Sequence, residues 1–257
     1  MLIKKLLWAA CSVLALTATQ AGAQAREMVV GTGATYRPFE YETPQKEIVG
    51  FDVDLLRAVA DAGGFKVKFV NTPWEGLFAS VDKGDRDIII SGITITDKRR
   101  EVLDFSNPYF MAYQTLLTQK TVAISNIKEL AGKKVGVVNG SAGDTAISEE
   151  FGKTSTNIRR FDNTPLVLEE LNQGGVDAAI GDVGVLAFYA KNNPDKQFKM
   201  VRDAKFKDQY LGIGVKKGNK ALLDQINGGL KKVIDSGKYN EIYRKWFGAD
   251  APKLPAA

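Results

Sequence analysis

The chain has 257 residues, 44% of them hydrophobic, and carries 35 Lys and Arg against 30 Asp and Glu, so it is long and apolar enough for one large or two small domains. Histidine is absent and Cys11 is the single cysteine, which removes Ser-His-Asp and Cys-His nucleophile systems, Cys/His metal clusters and disulfides. The two signs of charge are interleaved along the chain, which argues against a nucleic-acid partner, since a polyphosphate demands a concentrated basic face.

The chain opens as an export leader. "MLIKK" is a basic n-region, "LLWAACSVLALTA" an apolar h-region too short for a confident membrane span, and "AGA" at 21–23 a small-residue cleavage site. Cleavage after Ala23 leaves 234 residues and, with Lys4 and Lys5 gone from the formal +5, a charge of +3. Cys11 as a lipid anchor is disfavoured, because nearly the whole apolar run would follow it.

From there strands and helices alternate. "MVVGT" (28–32) reads as a strand, and "GFDVDLLRAVADAGG" (50–64) as a helix closed by glycines. "KVKFV" (66–70) reads as a strand, "WEGLFASVDKG" (74–84) as a helix and "RDIIISGI" (86–93) as a buried strand, followed by a helix over 97–103. "GTG" at 31–33 lacks the third glycine of a dinucleotide fingerprint, and no phosphate-loop GKS or GKT occurs. "YQTLLTQK" (113–120) is extended, and a second cycle follows: a short helix in "NIKEL", strands at "KVGVV", "NIRRF" and "VDAAIGD", and helices after the glycine-rich turn "GSAG" (140–143), in "TPLVLEELNQGG" and in "VGVLAFYAKNNP". Two βαβ cycles imply two lobes of mostly parallel sheet covered by helices. "DQYLGIGVKKG" (208–218) adds a strand, apolar residues at helical spacing run from Leu222 to Phe247, and the tail "ADAPKLPAA" is expected to be disordered. "FASVDKGDRDIIISG" and "LEELNQGGVDAAIGD" form a weak internal repeat in which Gly84, Asp87 and Gly92 match Gly174, Asp177 and Asp182.

"SGITITDKRREVLDFSNPY" (91–109) places a strand end against a helix start at Thr96 and Asp97. That is where an open α/β sheet binds ligands, and where Arg99 or Arg100 would clamp a carboxylate; a solvated first turn with surface arginines is the plainer alternative.

These stretches resemble, in order, the polar amino-acid family of bacterial extracellular solute-binding proteins. The resemblance is carried by "GTGATYRPFEY", "GFDVDLLRAVADAG", "SGITITDKRREVLDFSNPY", "KVGVVNGSAG" and "SGKYNEIYRKWFG". It implies an α/β, two-lobed type II periplasmic-binding-protein fold joined by two extended crossovers, "MAYQTL" and "KDQYLG". Lobe 1 would hold 24–112 and 210–257, and lobe 2 113–209. It implies that Arg99 pairs with a ligand α-carboxylate, with Gly92, Thr94 and the amides of Ala142 and Gly143 beside it, and that Asp182 accepts the α-ammonium. Without the resemblance Asp182 is a plausible helix N-cap and Arg100 a surface residue. Tyr36 and Trp74 match aromatic wall positions, with core packing as the alternative, and Asn139 a polar position of lobe 2. Where many relatives carry an acidic or amide group, Gly33 has no side chain, which leaves the ligand open between glutamine and the basic amino acids.

The implied protein is a periplasmic, monomeric receptor that captures a free polar L-amino acid and presents it to an inner-membrane ABC permease, with no cofactor, metal or catalysis. Lys46 or Lys98 would touch the permease, unless they are simply solvated. The alternatives are a cyclohexadienyl or arogenate dehydratase on the same fold and a detached sensor domain.

Overall fold

The computed structural model describes residues 26–255, so the expected leader and Cys11 lie outside the described residues. Two five-stranded sheets share one topology. In the first, the strands Val67–Asn71, Met28–Thr32 and Ile88–Ile89 run parallel in that spatial order; Gly214–Lys216 inserts antiparallel beside the third, and Leu103–Phe105 closes the edge. In the second, Ile158–Phe161, Val135–Val138 and Ala178–Asp182 are parallel, Gln114–Gln119 inserts antiparallel, and Phe198–Val201 closes the edge. In each sheet the inserted strand is the one that arrives from the other lobe. The two connections run side by side, Phe110–Ala112 pairing antiparallel with Gln209–Leu211.

The helices form where caps and glycines allow. Helices α1 (Phe51–Gly63), α2 (Trp74–Asp82) and α3 (Asp97–Arg100) belong to the first cycle; α4 (Ala142–Phe151), α5 (Thr164–Gln173) and α6 (Val183–Asn192) belong to the second. Helices α7 (Lys220–Asp235) and α8 (Lys238–Phe247) return to the first lobe. α1 and α5 both end on a glycine in the left-handed region. Ser141 and Asn163 cap α4 and α5 with side-chain oxygens, each accepting a backbone N–H three residues on. The internal repeat has a structural counterpart. Asp87 Oδ2 accepts Val29 N–H at 2.8 Å and Asp177 Oδ2 accepts Lys134 N–H at 2.8 Å, so each aspartate ties its strand to the start of the neighbouring parallel strand.

The first core packs α1, α7 and α8 on their sheet around Phe39, Phe51, Phe110, Tyr239, Tyr243 and Phe247, whose rings meet largely edge-on or tilted. The second lobe buries Leu116, Val135, Val137, Ile147 and Ile180 on one face of its sheet, and Leu117, Val167, Leu171 and Leu186 on the other.

Two sequence expectations are corrected, and one element appears that the sequence did not announce. The helix over 97–103 is a single turn, because Leu103–Phe105 instead pairs with Gly214–Lys216 at the sheet edge. The segment between the first strand and α1 forms a small antiparallel sheet, Thr35–Tyr36, Glu40–Glu42 and Ile48–Val49. The tail is docked through residue 254: Ala251 and Leu254 pack on the first core and Ala251 N–H donates to Asn240 Oδ1 at 2.9 Å.

Candidate functional site

The carboxyl ends of the parallel strands in both sheets open onto one cavity of about 210 Å³ between the lobes. Eight of the nine expected site residues line it: Tyr36, Trp74, Gly92, Thr94 and Arg99 from the first lobe, and Ala142, Gly143 and Asp182 from the second. Asn139 does not. It is exposed on the turn after Val135–Val138, and it is its backbone carbonyl that accepts the Trp74 Nε1–H, at 3.2 Å.

Arg99 is placed by the short helix that Thr96 caps, Thr96 Oγ1 accepting the Arg99 N–H at 3.2 Å. Its guanidinium donates to Thr94 O at 2.8 Å and, across the cleft, to Gly140 O at 3.4 Å. It lies over the rings of Trp74 and Phe78, 5.1 and 5.2 Å from their centroids. Burial pushes its pKa down to about 10, partly opposed by Asp182, so it remains a cation at neutral pH. Arg100, the competing candidate, is exposed and absent from the lining.

Asp182 ends the strand Ala178–Asp182 and stands at the N-cap position of α6, yet its side chain makes no capping bond. Tyr36 Oη donates to one oxygen and Gln114 Nε2 to the other, the latter at 2.5 Å. Burial raises the carboxyl above its ordinary range, opposed by those two donors and by Arg99. Gln114, on the crossover strand, escaped sequence reasoning; a buried glutamine inside the apolar run "YQTLLTQ" was the available signal. Tyr36 to Asp182, Trp74 to Asn139 and Arg99 to Gly140 are all hydrogen bonds that cross from one lobe to the other.

At the start of α4 the amides of Ala142 and Gly143 donate to no acceptor among the described residues, while Ser141 Oγ takes the Asp144 N–H at 3.1 Å. Any side chain at Gly143 would press on Gln114 Oε1 and the Ile180 carbonyl, 3.1 and 3.2 Å from an ideal Cβ. The turn before α4 is braced by Asp144, which accepts Gly140 N–H at 3.0 Å and pairs with Arg160 at 3.0 Å. Gly33 lines the cavity without a side chain. Asn71, Ser91, Asp162, Asn163 and Thr164 line it too and were not anticipated. Asp162 is exposed and makes no hydrogen bond or ion pair among the described residues. No cluster able to hold a metal ion occurs among the described residues.

Two matched α/β lobes, two adjacent crossovers and a cavity between strand ends with Arg99 and Asp182 on its walls define a ligand-capturing cleft protein. The family model of bacterial extracellular solute-binding proteins, family 3, matches residues 28–249, and the chain belongs to that family. It is 40% identical over 253 residues to the probable histidine-binding protein of Neisseria gonorrhoeae, covering 94% of each chain. It is 32% identical to the arginine-binding extracellular protein ArtP of Bacillus subtilis, covering 94% of this chain and 96% of that one. Among solved structures it superposes on the arginine-, lysine-, histidine-binding protein ArtJ of Geobacillus stearothermophilus with a TM-score of 0.85 at 44% identity, covering 89% of this chain and 97% of that one. These relatives are named as binding proteins, which agrees with the expectation of no catalysis and does not favour the dehydratase reading.

Proposed function

We propose that this chain is the periplasmic receptor of an ABC importer for polar L-amino acids, acting as a monomer after removal of residues 1–23. Lobe 1 comprises 24–112 with 210–257, and lobe 2 comprises 113–209. Arg99, with the Ala142 and Gly143 amides, holds the α-carboxylate. Asp182 holds the α-ammonium, and Gly92 and Thr94 complete the cradle. The closed form docks on the permease.

The observation that carries this reading is the Arg99–Asp182 pair on opposite walls of one cavity, with Asp182 forgoing the capping bond its position offers. A guanidinium grips a carboxylate through parallel hydrogen bonds worth about 1.5–3 kcal/mol each, a geometry lysine does not offer.

The side-chain reading follows from charge. Arg99 and Asp182 balance a zwitterion, and Asp162 leaves the cavity wall with one further negative charge. The Tyr36 and Trp74 faces would each add cation–π attraction of about 0.5–2 kcal/mol. The basic amino acids therefore lead and glutamine follows, in line with the names of the relatives.

The test is a thermal-shift screen of residues 24–257, unfolded and refolded to strip bound ligand, against the twenty amino acids. Ligand at a hundred times its dissociation constant stabilises the fold by about 2.7 kcal/mol, a clear rise in midpoint. A screen in which no amino acid moves the melt contradicts the proposal.

A further inference from the structure

Beneath the lobe 1 wall of the cavity two carboxyl groups are buried together. Glu40 opens the strand Glu40–Glu42 and Asp52 sits in the first turn of α1, and both are inaccessible to solvent. Each has one oxygen engaged. Glu40 Oε1 accepts from Ser91 Oγ at 2.6 Å, and that hydroxyl oxygen in turn accepts Gly33 N–H at 3.0 Å. Asp52 Oδ2 accepts Gly92 N–H at 2.8 Å and Tyr109 Oη–H at 2.9 Å. The remaining oxygens, Glu40 Oε2 and Asp52 Oδ1, are buried and meet no donor, although the two carboxyls lie within hydrogen-bonding reach of each other. Two carboxylates facing each other away from water repel, whereas an acid and a carboxylate satisfy both orphaned oxygens with one proton.

We propose that Glu40 and Asp52 share a single proton at neutral pH, as a carboxylic acid donating to a carboxylate. The pair is a positioning device that ties the Gly33 loop to the Gly92 loop and so holds the lobe 1 half of the cradle in register. The proton resides on Glu40, because Asp52 receives two donors that favour its anion and Glu40 receives one. Burial acts in the same direction: it raises the Glu40 carboxyl well above the ordinary range, and raises Asp52 only to about 6 against the pull of Gly92 N–H and Tyr109. The other groups that bear on the pair are Ser91, the hydroxyls of Tyr36 and Tyr239, and the Asp182 carboxylate, and none of these can neutralise a second negative charge.

The pH dependence has a definite sign. Both folded-state values lie above the unfolded ones, so the pair's contribution is present at low pH and is lost as pH rises through them. Losing the shared proton leaves two charges in contact and drives the two loops apart. The consequence for binding rests on the function proposed above; the proton does not, since it is measured without ligand.

Three variants test it: Glu40→Gln, Asp52→Asn and the double variant. Gln at 40 keeps a carbonyl for Ser91 and turns an N–H to Asp52, while Asn at 52 keeps a carbonyl for Gly92 and turns an N–H to Glu40. Each thus replaces the shared proton. In the double variant the orientations that keep a carbonyl on Ser91 and on Gly92 set donor against donor, and turning either amide to relieve this takes its carbonyl away from Ser91 or Gly92. The unliganded wild type should show the infrared carbonyl band of a protonated carboxylic acid at neutral pH, and Glu40→Gln should lack it. Glu40→Gln should also lose the alkaline fall in melting midpoint, and the double variant should lose far more stability and affinity than the two single variants added together. The proposal is overturned by a wild type without the band, by an unchanged alkaline slope in Glu40→Gln, or by additive losses. If the double variant does not fold, the band and the slope decide. Unchanged affinity in a folded double variant overturns the positioning role. A wild type that binds no amino acid fails the function proposed above and leaves the infrared test of the proton intact.

Discussion

Asp182→Asn should separate binding from stability, because the account assigns the carboxylate a cost in one and a benefit in the other. The substitution is nearly isosteric and the hydrogen bonds survive it: the amide oxygen accepts from Gln114 Nε2 and the amide nitrogen donates to Tyr36 Oη, which rotates its own proton away. What disappears is the charge. Truncating one member of a buried, hydrogen-bonded ion pair costs about 2–5 kcal/mol, or roughly 30-fold to several-thousand-fold in Kd. Without ligand the same charge is unfavourable, since burial raises the Asp182 carboxyl above its ordinary range. Calorimetric titration should therefore show affinity lost by that factor, while the melting midpoint of the unliganded variant equals or exceeds that of wild type at neutral pH. Unchanged affinity, or a loss of affinity matched by a lower midpoint, would refute the reasoning.

Arg99→Lys keeps the charge but loses the planar fork and the stacking over Trp74 and Phe78; one charged hydrogen bond lost, about 1.5–3 kcal/mol, predicts a Kd raised roughly 10- to 150-fold by calorimetry. Gly92→Ala places a Cβ 2.6 Å from Tyr36 Cε1 at a φ of +53°, so titrations should show weakened binding and melts a lower midpoint. Affinity should fall on acidification as Asp182 takes up a proton, and the decline should begin at a higher pH than for an ordinary carboxylate, because its pKa is raised; calorimetry across acidic pH checks it. Asp162→Asn should weaken a basic amino acid by about 0.2–1 kcal/mol, the worth of an exposed ion pair, and leave glutamine unmoved in parallel titrations.

Much of this architecture was legible in the sequence, and the misses have physical causes. The βαβ alternation showed because glycine stops, N-caps and β-branched runs are local signals, as in α1 with its terminal Gly64 and in "RDIII" before Ser91. The helix start at Thr96 marked a strand end where either Arg99 or Arg100 would sit; the resemblance, not the local pattern, singled out Arg99, which is the one that lines the cavity. The small sheet over residues 35–49 was invisible, since strands of two or three residues carry too little periodicity. Asn139 was misplaced because position along a turn does not say which way a side chain points, and only the packed cleft sets its carbonyl against Trp74. Gln114, Glu40 and Asp52 act through partners distant in sequence, and no local pattern announces a tertiary hydrogen bond.

The most direct test of the α-amino-acid clamp is calorimetric titration of the refolded protein with its best amino acid, that amino acid's methyl ester, and its N-acetyl derivative. The ester removes the partner of Arg99 and the acetyl group removes the partner of Asp182. Each modification should raise Kd by at least about 30-fold, the lower bound for unpairing a buried charge. Comparable affinity for all three would contradict it, because the cavity would then be holding its ligand by some other part.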